Sequence, residues 1–492
     1  MTSSNTFEYL VGYLTETVGA SFPEDYGADD GGVRKSKEAS LCDIFERYIY
    51  RADMRRFLLS RSGVLYVYNG KYYEEVVTET FLKEVIKATM ARMGVGLVYQ
   101  KYSPKFIAAE CLAGMENSEK AMFIPDRRYI VFSNGVFDVK EGRLNDFDMK
   151  YQTDIVMDIA YDAAAVYALW EQKVAEIIPI EAHREAFRMF CGMLLINRQE
   201  IKFEYVCFLL GPGSNGKSVI ASTIAAVFGS RYFAKFSPDQ LLKSSDKMFN
   251  LASLEGMIAN FTDDLDKEDI SSKGFKSFAS GQEFEARHPF GRKVFKVKAP
   301  LMLCCANQMP PTTDDSWGYH RRILPIHSSL KVWGEEDKDP YLESKLSTPR
   351  ARAAIFNWIY EGYKNIIANG GNIKLGKEVV DAQMELRDDS NSARRWLRDC
   401  ELVYVDPEGR EDRRWKLFKE WHRMYREYCQ ENGERYPQTS KSLGKLFREK
   451  GFATRKDASG VWYCIGQMGV DTLPNRDCVS YDVPTDEEEL PF

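Results

Sequence analysis

The chain has 492 residues, too many for one ordinary domain, and its 44% hydrophobic and 28% charged composition is globular with room for a large core. No apolar run reaches the roughly 18–20 residues of a membrane span, and MTSSNTFEYL lacks the basic region and apolar core of a secretory signal, so no membrane association is expected. A formal net charge of −6 does not favour nucleic-acid binding over the whole surface, so such a site must be a local basic patch or a channel.

Ten scattered cysteines without a C-x-x-C, and five scattered histidines, support neither a zinc site nor a disulfide framework. Cys304 and Cys305 sit in an apolar run and are expected as buried thiols. These features predict a reduced, cytoplasmic protein.

In chain order, residues 1–40 are polar and Gly/Asp-rich, and PEDYGADDGG predicts a loop-rich or disordered lead. Residues 41–200 predict an N-terminal domain of mixed strands and helices. VLYVYNGKYYEEV alternates apolar and polar residues about Asn69-Gly70, a hairpin signal. Helices are expected over 78–93 and 104–117. RYIVFSNGVFDVKEGRL predicts strand, turn, strand, and helices follow around 163–178 and 182–196.

From 201 to 345, apolar runs alternate with helical segments and glycine turns, which predicts an α/β core. Residues 346–395 predict a helical linker. Within 396–470, RRWKLFKEWHRMYREYCQ and SKSLGKLFREKGF predict two basic helices, and ATRKDASGVWYCIG a hairpin. That order is winged-helix-like. Residues 471–492 are acidic and expected to be disordered.

The core opens on GPGSNGKS, which is Gly211, Pro212, Gly213, Ser214, Asn215, Gly216, Lys217 and Ser218. This satisfies G-x-x-x-x-G-K-S/T. The apolar YVCFLL before it predicts a strand, and KSVIASTIAAVF after it a helix ending at Gly229. Backbone N–H groups would converge on phosphates at the helix's positive end. Lys217 would bridge the β- and γ-phosphates of ATP, and Ser218 would hold Mg²⁺.

Three further elements follow within about 110 residues. GMIANFTDDLD is an apolar run, weakened by Asn260 and Thr262, that ends in Asp263 and Asp264. One of these carboxylates would serve Mg²⁺ and the other the attacking water; Asp264 is favoured for the metal, but the residues alone do not separate them. APLMLCCANQMPP is an apolar run ending in Asn307, a polar amide at the C-terminal end of a strand, where parallel sheets bind ligands. YHRRILPIH places Arg321 and Arg322 before another strand. Either could reach a neighbouring subunit's γ-phosphate.

This order resembles the superfamily 3 helicases, a compact AAA+ group, and within them the phage, plasmid and poxvirus primase-helicase family. Lys276, Gly281, Ala286 and Arg287 in FKSFASGQEFEARHPF match the family's K…GxxxxAR segment. The resemblance covers roughly residues 45–465 and extends to FSNGVFDVKEGRL, YDAAAVYALWEQKV, FRMFCGMLLIN and the C-terminal basic helices. Many relatives carry Glu where Asp263 or Asp264 stands.

The resemblance implies a ring, usually a hexamer, that tracks on single-stranded DNA and unwinds duplex in the 3′ to 5′ direction. An arginine supplied to a neighbour independently implies a homo-oligomer. EFEARHPFGRKVFKVKA reads as a hairpin whose tip carries His288, Arg292 and Lys293; with Lys276 and Arg287 it would grip the DNA backbone. Lys441, Lys445, Arg448 and Lys450 either touch phosphates or cover a protein-binding module. The terminal DEEELPF is either a solubilising tail or a docking peptide for replication proteins.

The expected function is therefore an ATP-dependent replicative helicase of a phage, plasmid or other mobile element, acting in the host cytoplasm on single-stranded and forked DNA. Two alternatives remain: a primase-helicase with priming activity, and an AAA+ initiator or remodeller that does not unwind processively. Only about 40 residues precede the family-like region, so no primer synthesis by this chain alone is expected.

Overall fold

Short strand-forming runs divided by polar turns fold into five sheets among the described residues. In this computed structural model the described residues are 4–19, 42, 45–46, 49, 58–61, 64–76, 79–95, 97–116, 123–196, 201–262, 265, 272–289, 294–310, 312, 314, 316–331, 333–334, 339–434 and 437–468. The architecture is mixed α/β with a parallel central sheet. No described helix is long and apolar enough to cross a membrane.

The loop-rich lead expected over 1–40 is corrected at its start. Ser4–Gly19 is a helix. Leu10, Val11, Leu14 and Val18 share one face and are buried in a cluster with Val67, Tyr68, Tyr73, Val85 and Ile86. That stripe has helical spacing, and the glycine- and aspartate-rich run after it masked the signal. The rest of that lead lies outside the described residues, as do 469–492 with the acidic tail.

The first sheet is antiparallel: β1 (Leu58–Arg61), β2 (Val64–Tyr68) and β3 (Tyr73–Val76). The hairpin falls where Asn69-Gly70 predicts it, but Tyr68 pairs with Tyr73, so the loop has four residues. The Asn69 side-chain oxygen accepts the N–H groups of Lys71 and Tyr72, each at 3.0 Å, and this turn chemistry selects the longer loop. Helices Glu79–Arg92 and Leu97–Glu116 follow. The second begins before the expected 104 and carries Pro104 in its interior.

The predicted strand-turn-strand is β4 (Tyr129–Phe132) and β5 (Gly135–Asp138), with β6 (Arg143–Asn145) added beside β5. Asp138 is buried. It takes two hydrogen bonds from Arg128, at 2.8 and 2.7 Å, and the N–H groups of Lys140 and Glu141 at 3.1 Å. Burial pushes its carboxyl up, but the Arg128 guanidinium and the two N–H groups outweigh that and hold it below the usual range.

The central sheet begins with β7 (Val206–Leu210), β8 (Phe233–Ala234) and β9 (Ala259–Thr262). The antiparallel hairpin of β10 (Glu283–Ala286) and β11 (Phe295–Lys298) follows, then β12 (Leu301–Ala306) and β13 (Ile323–His327). The order across the sheet is β13-β7-β12-β9-β8, all parallel. Every residue of β7 and β12 is buried, including Cys304 and Cys305. Such continuous apolar strands are covered on both faces.

Helices Glu181–Gly192 and Pro349–Ala368 pack together in the same core. They cross without room for a methyl group. A Cβ on Gly362 would lie 2.1 Å from the Arg188 carbonyl oxygen, and one on Gly192 would lie 2.2 Å from the Tyr363 nitrogen.

The chain divides into two compact units. The first holds the described residues of Met1–Asp266, Lys273–Met309 and Arg322–Val379; the second those of Lys267–Ser272, Pro310–Arg321 and Val380–Phe492. In the second unit, helix Ser392–Asp399, β14 (Leu402–Tyr404) and β15 (Trp415–Leu417) precede the expected elements. Those are helices Phe418–Glu431 and Ser440–Glu449, then β16 (Ala453–Asp457) and β17 (Gly460–Gln467). β17 pairs with all three other strands, and Trp396, Trp421, Tyr425, Phe447 and Tyr463 fill the core beside them.

Two outcomes follow from this packing. Gly362→Ala gains helix propensity but overpacks the helix crossing, so denaturant unfolding should show a net loss of about 1–3 kcal/mol. Asp138→Asn should lower the melting temperature at neutral pH. Because the folded pKa is depressed, that difference should shrink as pH falls through it and vanish once Asp138 is protonated in both states.

Candidate functional site

The loop Gly211–Gly216 leaves β7 at the C-terminal edge of the sheet and runs into helix Lys217–Phe228. Leu210 is in register with Ala306 of β12 and with His327 of β13. Asn307 and Ser328 therefore emerge on either side of the loop. The chain proceeds from β7 to β8, β9 and β12 on one side, then crosses to β13 on the other. The loop thus sits where the strand order reverses, the position at which open parallel sheets bind ligands.

The loop's shape depends on side chains that fill it. Asn215 is buried. Its amide donates to Ser328 Oγ at 2.8 Å and to the Ser329 carbonyl at 2.9 Å, and its oxygen accepts from Lys217 at 2.9 Å. Ser328 Oγ donates to the Leu210 carbonyl at 2.7 Å. Gly216 caps the helix with φ +88°, and a Cβ there would meet Ile177 Cδ1 and Trp333 Cη2, each at 2.6 Å. The backbone N–H of Trp333 donates to the Ser214 carbonyl at 2.7 Å.

Lys217 folds back over this loop. Besides Asn215, its ammonium donates to the carbonyls of Gly211 at 2.8 Å and Pro212 at 2.6 Å. Among the described residues no carboxylate pairs with it, and burial pushes its pKa down. Among the described residues the result is a buried cation met by neutral oxygens, beside the first-turn N–H groups of a helix. An anion with several oxygens would satisfy both. Gly213, Ser214 and Ser218 are exposed.

Ser328, Ser329, Trp333 and Ile177 carry no motif, and sequence reasoning missed them. They became visible only once β13 was placed beside β7. His327, just before Ser328, donates its N–H to His183 Nδ1 at 3.2 Å, and the two rings stack at 5.2 Å. Burial, and then the nearby His327, push buried His183 down to about 4, so it accepts as a neutral ring.

β9 ends at Thr262, level with Cys304 of β12. Asp263 and Asp264 come next and lie outside the described residues. The two polar residues that weaken this strand's pattern are both satisfied. Asn260 donates to the Phe236 carbonyl at 2.7 Å and accepts the Phe236 N–H at 2.8 Å, and Thr262 donates to the same carbonyl. Asn307 is exposed directly after β12, between the loop strand and the strand that leads to the acids.

The two arginines differ. Arg322 donates to Glu204 at 2.9 Å and to Ser280 Oγ at 3.3 Å, and Ser280 itself donates to Glu204 at 2.7 Å. Its side chain is 13% exposed. Arg321 is exposed.

The predicted hairpin is present, but its stem is charge-balanced. Glu283 is in register with Lys298, and Glu285 with Lys296. Arg287 is exposed beyond β10, its guanidinium 5.4 Å from the Phe249 ring centroid. The His288 ring stacks on Phe295 at 4.6 Å. Lys276 is half-buried on helix Ser272–Ala279. Arg292 and Lys293 at the tip lie outside the described residues.

Residues 209–322, which span the loop, Asn307 and both arginines, match a family of unknown function, DUF5906. The chain also resembles apo structures of the NrS-1 C-terminal region. One has 9% identity and a TM-score of 0.46, covering 86% of this chain and 98% of that one. Another has 9% identity and a TM-score of 0.45, covering 86% and 99%. Residues 44–179 match the family described as D5 N terminal like, and this fits the phage primase-helicase family that the sequence resembles.

Proposed function

We propose that this chain is an ATP hydrolase of superfamily 3, with an AAA+ core, that translocates on single-stranded DNA as a hexameric ring and unwinds duplex DNA for a phage, plasmid or other mobile element. The observation that carries the reading is Lys217: a buried ammonium held by neutral oxygens in a glycine loop, at a helix start and a switch point of the sheet. The D5 N-terminal-like match supports a replication enzyme. In the second unit, the order helix, strand, strand, helix, helix, strand, strand from Ser392 onward supports a winged-helix-like domain.

In this reading the N–H groups of Gly211 to Ser218 cradle the phosphates, and Lys217 exchanges its carbonyl partners for β- and γ-phosphate oxygens. Ser218 and Asp264 would hold magnesium, which neutralises charge on those oxygens. Asp263 or Asp264 orients the attacking water, and Asn307, emerging between β7 and β9, positions it against the γ-phosphate. Arg322 donates to Glu204, and either Arg321 or Arg322 would serve the neighbouring subunit's γ-phosphate.

Arg292 and Lys293 at the hairpin tip grip the DNA backbone, with Lys276, Arg287 and His288 behind them. Because the stem carries as many carboxylates as lysines, the grip rests on the tip. The acidic tail is proposed to dock replication proteins, and the host cytoplasm is the proposed location.

Strand displacement on a forked duplex tests the whole reading. Wild type should unwind with ATP, and Lys217→Ala should lose ATPase by about 100-fold or more, and unwinding with it. Lys217-dependent ATPase with no wild-type unwinding would leave the remodeller reading instead. Arg321→Ala should cut ATPase by about a thousand-fold if this arginine serves the neighbour's γ-phosphate. Arg322→Ala should instead cost about 1–2 kcal/mol of stability. Mixing Arg321→Ala with Lys217→Ala subunits should restore part of the ATPase if the two groups meet across an interface.

A further inference from the structure

The chain after β13 also borders the surface where a nucleotide held by the loop would extend. Phosphates gripped by Gly211 to Ser218 leave ribose and base projecting past the first turn of helix Lys217–Phe228. At the start of that turn, the Trp333 ring presses on Gly216. One turn on, Ser222 Oγ donates to Glu343 at 3.3 Å, so helix Leu342–Leu346 lies along the same helix.

Trp333 is a half-buried indole whose position is fixed twice. Its backbone N–H is bonded to Ser214, and Lys173 Nζ lies 5.6 Å from its ring centroid. Lys173 is in turn held by Glu176 at 2.6 Å. A ring held by packing against Gly216 and the core loses little freedom when a second planar group stacks on it. The ring also packs against the core that holds Ile177 and Ile220. A held, half-buried aromatic ring next to the glycine loop suits the base of a nucleoside triphosphate.

We propose that this surface is the nucleoside subsite, and that Trp333 stacks on the base. The inference rests on reading the loop as a nucleoside triphosphate site. Two ligands separate the two ideas: ATP, and inorganic tripolyphosphate, which has the phosphates but no base. Both are titrated calorimetrically, with magnesium, into wild type, Lys217→Ala, Trp333→Ala and Trp333→Phe.

Lys217→Ala should weaken both ligands. Trp333→Ala should bind ATP about ten-fold or more weakly and tripolyphosphate as wild type does, while Trp333→Phe keeps most of the ATP affinity. Unchanged ATP affinity in Trp333→Ala would overturn the subsite. So would an equal loss of both ligands, because the ring would then act only by holding the loop. No Lys217-dependent binding of either ligand to wild type would remove the nucleotide reading itself, and this subsite with it.

Discussion

The side chain of Asn215 ties together the parts on which the rest of the site depends. It bonds the glycine loop to the end of β13 through Ser328 and Ser329, and it gives Lys217 one of its three oxygens. A buried amide costs free energy unless its groups are paired, and here both donors and the acceptor are used. Without β13 beside β7, the amide would be unsatisfied and the loop would have no wall. The parallel sheet is therefore a condition for the loop's shape rather than only its support.

That sheet also explains residues that look out of place. Asn260 and Thr262 interrupt an apolar strand, yet both clamp the backbone of Phe236. Each polar group is matched by a partner from another segment, so the strand remains buried. Arg322 is similar. It sits in a motif suggestive of catalysis, but Glu204 and Ser280 hold it within its own chain.

Local structure was legible wherever the chemistry is local. The turn at Asn69, the strand-turn-strand of 129–138 and the strand-loop-helix around Lys217 all depend on neighbours a few residues apart. The misses have physical causes as well. The apolar stripe from Leu10 to Val18 was overshadowed by the glycine-rich run after it. The start of helix Leu97–Glu116 was misplaced because Pro104 reads as a first-turn residue, whereas tertiary packing carries the helix through it.

By itself the sequence determined the glycine loop between strand and helix and the order of acids, asparagine and arginines after it, because such motifs are short-range patterns of residue type. Only the tertiary structure decided which strand lies next to which. That placement put Asn307 and Ser328 on either side of the loop, brought Trp333 and Ile177 against Gly216, and paired Arg322 with Glu204. These outcomes depend on pairs such as Asn215 with Ser328 and Arg322 with Glu204, which are more than a hundred residues apart. No spacing rule encodes such contacts, because they exist only after the sheet has assembled.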